Sequence, residues 1–214
     1  MTVALFAVAG YLAGSMPFGY WLVRVAKGVD IRTVGSGNIG ATNVWRQYGR
    51  AYGLPVMALD ILKGFAPALA ATLVDGHLTG VVAGAAAMLG HWRPLFLGFA
   101  KGGKMVASTG GAFFGVAPAV GGAGAGVWIV VFLATRYASI ASMVSACSTP
   151  LLAYLLGYPW PVIAFGGAAA AGVVALHREN IRRLLAGSES RATLSLRRRR
   201  GPTAPAAPSS ARTP

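Results

Sequence analysis

The chain has 214 residues, of which 55% are hydrophobic and only 11% charged, with a mean hydropathy of +0.60. An average soluble domain carries about 25% charged residues, so an ordinary water-soluble fold is excluded, as is disorder over most of the length. Nineteen Lys and Arg against five Asp and Glu leave a net charge of +14. In so apolar a chain this excess points to positive-inside topology and anionic lipid headgroups, not to nucleic acid.

A membrane span needs about 20 apolar residues. Residues 3–23 supply the first, and without a short basic stretch before them they read as a retained helix, not a cleaved signal. Residues 24–52 are polar. Residues 53–75 form a second apolar segment that contains Asp60 and Lys63, and residues 78–99 form a third with His91 near its end. Charges inside a span are costly, so Asp60 and Lys63 are expected to pair and to act structurally. After the break at Lys101–Lys104, residues 105–134 are too long for one straight helix, and Pro118 with Gly121-Gly122 divides them. Residues 138–156 and 160–176 complete the set.

The expectation is an all-α integral membrane protein built as a seven-helix transmembrane bundle, with five full spans as the fallback. Lys and Arg alternate between loops without a break: five after the first span, none after the second, Lys101 and Lys104 after the third, none, Arg136, none, then nine Arg. The positive-inside rule then puts the N-terminus outside and the C-terminus in the cytoplasm. Residues 1–190 make one membrane domain. Residues 191–214 turn to Arg, Pro, Ala, Ser and Thr and read as a disordered basic cytoplasmic tail. Gly-x-x-x-Gly spacings at Gly80/Gly84 and Gly122/Gly126 suggest close helix packing.

The dense polar motifs all fall in loops assigned to one side. Residues 35–46 contain Ser36, Asn38, Thr42, Asn43 and Arg46 among glycines, a composition that can present amides, hydroxyls and a guanidinium to a phosphate. Lys101-Gly102-Gly103-Lys104 forms a cationic turn. Gly98 with Gly103-Lys104 nearly matches a nucleotide-binding P-loop, but Met105 stands where the metal-binding Ser or Thr belongs, which excludes an NTPase. His177 and Asn180 are three apart, on one face of an expected helix, followed by Arg182, Arg183 and Glu189. A histidine there can take a proton from a hydroxyl. Ser139 and Ser142 follow Arg136. With no Cys pairs, no His-Glu-x-x-His and five acids, no metal site and no cofactor are expected. The chemistry suits an anionic substrate with a lipid part.

In order along residues 5–190, Gly-Ser-Gly-Asn-x-Gly-Ala-Thr-Asn-x-x-Arg (35–46), Asp-x-x-Lys-Gly (60–64), Gly-His-x-x-Pro (90–94), Lys-Gly-Gly-Lys (101–104), Arg-Tyr-x-Ser (136–139) and His-x-x-Asn-Ile-x-Arg-Leu-x-x-Gly-x-Glu (177–189) resemble the PlsY family of bacterial acyltransferases. The resemblance implies a multi-pass enzyme of the cytoplasmic membrane with its active site on the cytoplasmic side. It would move a fatty acyl group from acyl phosphate to the 1-hydroxyl of glycerol 3-phosphate, giving lysophosphatidic acid and phosphate. It implies catalytic roles for Ser36, Arg46, Lys104, His177 and Asn180. Asn38, Thr42, Asn43, Lys101, Gly102, Gly103, Ser139 and Ser142 would bind substrate, and Glu189 would be structural. Membrane lipid and a soluble enzyme that makes acyl phosphate are the implied partners.

Two phosphate sites are expected: Arg46 with the first loop, and Lys101 and Lys104 with the Gly102 and Gly103 amides. Which substrate each holds stays open, as does the base, either His177 or the donor's own phosphate. The family usually has Gly where this chain has Met105, and an aromatic where it has Ala100. A glycine there would serve a positive φ or a close phosphate approach. A transporter of phosphorylated solutes and a catalytically impaired relative are the alternative readings.

Overall fold

A computed structural model describes residues 1–192; residues 193–214, most of the expected basic tail, lie outside the described residues. All regular structure among the described residues is helical. The helices are α1 (Thr2–Gly14), α2 (Phe18–Lys27), α3 (Ala41–Tyr48), α4 (Arg50–Trp92), α5 (Val106–Val116), α6 (Pro118–Thr135), α7 (Ala138–Leu155), α8 (Trp160–Leu176) and α9 (Arg178–Leu185). Four stretches are long and apolar enough to cross a membrane: 2–27, 50–97, 118–135 and 138–155. A fifth is added if α8 and α9, bent by 57°, count together.

The longest helix is two helices. Asp75 and Gly76 leave helical geometry, with Gly76 at φ +79°, and the chain doubles back there. Thr72 then lies against Gly80, and a Cβ on Gly84 would stand 3.7 Å from that of Ala68. The Thr79 hydroxyl donates to Asp75 at 2.7 Å and ties the turn to the returning limb. Segments 53–75 and 78–99 therefore form an antiparallel hairpin, although the second limb ends at Trp92 and Leu95–Leu97 is a short 3-10 turn.

Other boundaries moved for local reasons. The expected span 3–23 breaks at Ser15–Pro17 into α1 and α2, because proline lacks the amide that would continue the helix. Segment 105–134 divides at Ala117–Pro118, with Pro118 starting α6 and Gly121 and Gly122 inside it. His177 stands at the bend between α8 and α9, where it caps the start of α9, and Asn180 lies in the first turn of that helix.

Small residues set the spacing between helices. A Cβ on Gly10 or Gly14 would strike the backbone of Ala83 or Ala87, and one on Gly64 or Gly111 would close the contact between α4 and α5. Around these contacts Phe113, Val116, Val120, Val162 and Phe165 form the main apolar core. Gly80 and Gly84 take part in it, as their spacing suggests. Gly122 and Gly126 do not: among the described residues nothing lies within 4 Å of a Cβ on either. Their face of α6 is not covered by the described residues, so the spacing does not mark a contact among them.

Candidate active site

The loop of residues 31–46 is organised by one side chain. Asn43, only 4% exposed, donates to the carbonyls of Val34 (3.0 Å) and Asn38 (2.9 Å) and accepts from the Ser36 amide (3.1 Å). The Asn38 side chain accepts from the Gly40 amide at 2.8 Å and reaches toward the Gly102 carbonyl at 3.5 Å. Both asparagines thus spend their polarity on shaping the turn. Ser36 and Thr42 are left exposed. Ser36 and Lys101 line an open cavity of about 480 Å³ with Arg32, which is held by Asp30 in a 2.6 Å ion pair.

Arg46 joins a different group. Its guanidinium donates to the Ser190 carbonyl at 3.0 Å, on the segment that carries Glu189. Glu189, 7% exposed, accepts from Asn180 (2.7 Å), Ser139 (2.9 Å) and Arg183 (2.7 Å). Burial alone would raise its pKa, but these three donors outweigh burial and hold the carboxyl below its ordinary value. Asn180 turns its carbonyl oxygen to Lys104, which donates to it through a short hydrogen bond. Lys104, Asn180, Glu189, Ser139 and Arg183 therefore form one chain of hydrogen bonds. Its end is a half-buried ammonium group. Burial first, then the charge of Arg183, lowers the Lys104 pKa to about 8.

His177 follows the last residue of α8 and is 4% exposed. Its Nδ1 lies 2.8 Å from the Val173 carbonyl. A carbonyl can only accept, so Nδ1 carries the proton and Nε2 is left as an acceptor. Burial pulls the His177 pKa down to about 4, so the ring is neutral at physiological pH. Asn180 orients Lys104 rather than His177.

Three expected roles change on this geometry. The Gly102 and Gly103 amides donate at 2.9 Å to the carbonyls of Trp92 and His91. They anchor the loop to the end of α4, and the loop's ammonium groups remain for an anion. Ser142 donates to the Ala138 carbonyl (2.7 Å) and accepts from Trp128 (3.1 Å), which places it in the contact between α6 and α7. The expected cation pairs are also exchanged: Lys101 stands with Ser36, and Arg46 with Lys104.

Asp60 and Lys63 pair at 2.7 Å with side chains at most 3% exposed, and Lys63 also donates to the Met16 carbonyl at 2.9 Å. Sequence reading did not assign Arg183 or Arg32 to a site. Arg183 follows Asn180 by three residues, a spacing that could have signalled it.

Met105 adopts φ +65°, in the left-handed region that glycine favours. Its side chain is 6% exposed and lies over Gly172, where a Cβ would crowd its methyl group at 2.8 Å. It helps line an apolar groove of about 300 Å³ between the second limb of α4 and α8, together with Met88, Trp92, Phe165 and Leu176. Met105 and Leu176 are the chain neighbours of Lys104 and His177.

Comparison with known proteins agrees with this architecture. A family model described as glycerol-3-phosphate acyltransferase matches residues 4–187. Glycerol-3-phosphate acyltransferase of Aquifex aeolicus (strain VF5) is 47% identical over 191 residues, covering 88% of this chain and 98% of its own. That of Synechococcus sp. (strain JA-3-3Ab) is 43% identical over 191 residues, with 89% and 94% covered. Crystal structures of PlsY, an integral membrane glycerol 3-phosphate acyltransferase, superpose with TM-scores of 0.86 for a glycerol 3-phosphate form and 0.83 for a lysophosphatidic acid form. These are 43% and 42% identical to this chain, and cover 90% and 89% of it and 96% and 95% of their own chains. The chain therefore belongs to the glycerol-3-phosphate acyltransferase family and is an integral membrane acyltransferase of the PlsY kind.

Proposed function

We propose that the chain transfers a fatty acyl group from acyl phosphate to the 1-hydroxyl of glycerol 3-phosphate, releasing lysophosphatidic acid and phosphate. The observation that carries this reading is the placement of neutral His177 beside the ammonium group that Asn180 holds. Both substrates are phosphates, and two groups of cations are present: Lys101 with the Asp30-paired Arg32 beside Ser36, and Lys104 with Arg46 and the Glu189-paired Arg183. The apolar groove beside Met105 takes the start of the acyl chain.

His177 Nε2 accepts the hydroxyl hydrogen and aims the oxygen at the acyl carbonyl. A pKa of about 4 makes the ring a poor final resting place for the proton, so the departing phosphate takes it. The new ester bond forms as the bond between acyl carbon and phosphate oxygen breaks. Lys104 and Arg46 stabilise the charge on that oxygen. Acyl phosphate is already activated, so no covalent enzyme intermediate is needed.

The protein crosses the bacterial inner membrane as seven helices, with the N-terminus outside and the active site and C-terminus on the cytoplasmic side. A soluble acyl-phosphate-forming enzyme delivers the donor.

The test is purified protein in lipid mesophase with palmitoyl phosphate and glycerol 3-phosphate. Phosphate and lysophosphatidic acid are released in equal amounts, and acyl-CoA does not replace the donor. His177→Ala lowers kcat by about 10²–10⁴-fold. Uptake of glycerol 3-phosphate into vesicles without acyl transfer would favour transport instead.

A further inference from the structure

One buried titratable cluster has no part in that chemistry. His91, 3% exposed, ends the second limb of α4 next to the Asp60–Lys63 pair of the first limb, with Nδ1 3.7 Å from Asp60. No hydrogen-bond partner for this nitrogen is found among the described residues. The ring instead meets the backbone of the Lys101–Lys104 turn: a Cβ on Gly103 would overlap the imidazole, and one on Gly102 would strike the His91 carbonyl and Pro94. The same carbonyl accepts the Gly103 amide at 2.9 Å. Lys63, bonded to Met16 as well as to Asp60, ties the first limb to the turn between α1 and α2.

We propose that His91, packed beside the Asp60–Lys63 pair, is a positioning residue: its ring and carbonyl seat the glycine turn that aims Lys104 at Asn180. Gly103 is there for contact with this ring and Gly102 for contact with the His91 carbonyl and Pro94, since their amides are spent on α4. Loss of the ring at residue 91 shifts the turn, and Lys104 is the residue after Gly103 along the chain. This contact between the two limbs lies at the loop end of the hairpin, so loop and membrane helices are registered together. The part Lys104 plays in turnover rests on the function proposed above; the seating of the turn does not.

His91→Ala and the shape-preserving His91→Phe separate seating from general stability. In the full-length protein in detergent, hydrogen exchange at the Gly102 and Gly103 amides quickens at least tenfold in His91→Ala. It quickens much less in His91→Phe, while the thermal midpoint of both variants shows them folded. In turnover, kcat/KM of His91→Ala falls about tenfold or more. The alkaline limb of its pH profile moves above pH 8, because Lys104 is released toward water. His91→Phe recovers most of the rate. Unchanged exchange at the two amides overturns the seating. Faster exchange with an unmoved alkaline limb overturns its effect on Lys104. A wild-type protein inactive with acyl phosphate removes the proposed donor and leaves the exchange result to decide the seating.

Discussion

At the scale of single residues, Lys104 carries the sharpest consequence. Its ammonium group is favoured below about pH 8 and lost above it, because burial and Arg183 disfavour the charged form. A bound phosphate reverses the balance, so substrate binding near pH 8 takes up a proton. The prediction is that kcat/KM falls about tenfold per pH unit above pH 8. Lys104→Arg, whose guanidinium does not titrate there, loses this limb. A pH–rate series on both proteins decides it. Met105 is the opposite case. The chain holds a non-glycine residue in the left-handed conformation that glycine favours, and the strain of φ +65°, about 1–2 kcal/mol, is offset by packing of the side chain over Gly172. The sequence exposed the substitution but not its compensation, because Gly172 is far along the chain.

Among the elements, the α4 hairpin bears most of the architecture. Asp60 and Lys63 are buried as a pair, and removing one partner leaves a charge without compensation. Asp60→Leu alone costs about 3–5 kcal/mol, whereas Asp60→Leu with Lys63→Met falls within about 2 kcal/mol of the parent. Reversible unfolding in detergent micelles gives the comparison. The pairing was legible from spacing three apart on a helix. The hairpin turn was legible as a gap between apolar segments. The break of the first span at Pro17 and the bend at His177 were not. The first span read as continuous by hydropathy, and although the last span was ended at residue 176, the 57° turn that follows is set by local backbone geometry.

For the whole molecule, charge placement is the organising fact. The loop motifs of residues 31–46, 101–104 and 177–189 meet at one end of the bundle, as their shared sidedness suggested. Which cation stands with which could not be read. Arg46 reaches Ser190 across 144 positions, and Lys104 reaches Asn180 across 76. Only folded helices set such pairings. The topology is open to a direct check. In a Cys147→Ser background, Gly157→Cys reacts with a membrane-impermeant maleimide on intact cells, and Ser188→Cys reacts only after lysis. Equal labelling of both would refute the orientation.

The pairing of Asp60 with Lys63 also bears on how the chain enters the bilayer. Either charge alone opposes insertion by about 2.5–3.5 kcal/mol. Because the two lie three residues apart, one turn of helix suffices to neutralise them, before any other helix has arrived. The insertion machinery thus meets a segment whose two charges already offset part of each other's cost. The buried pair that later supports the catalytic loop first serves as its own passport across the lipid.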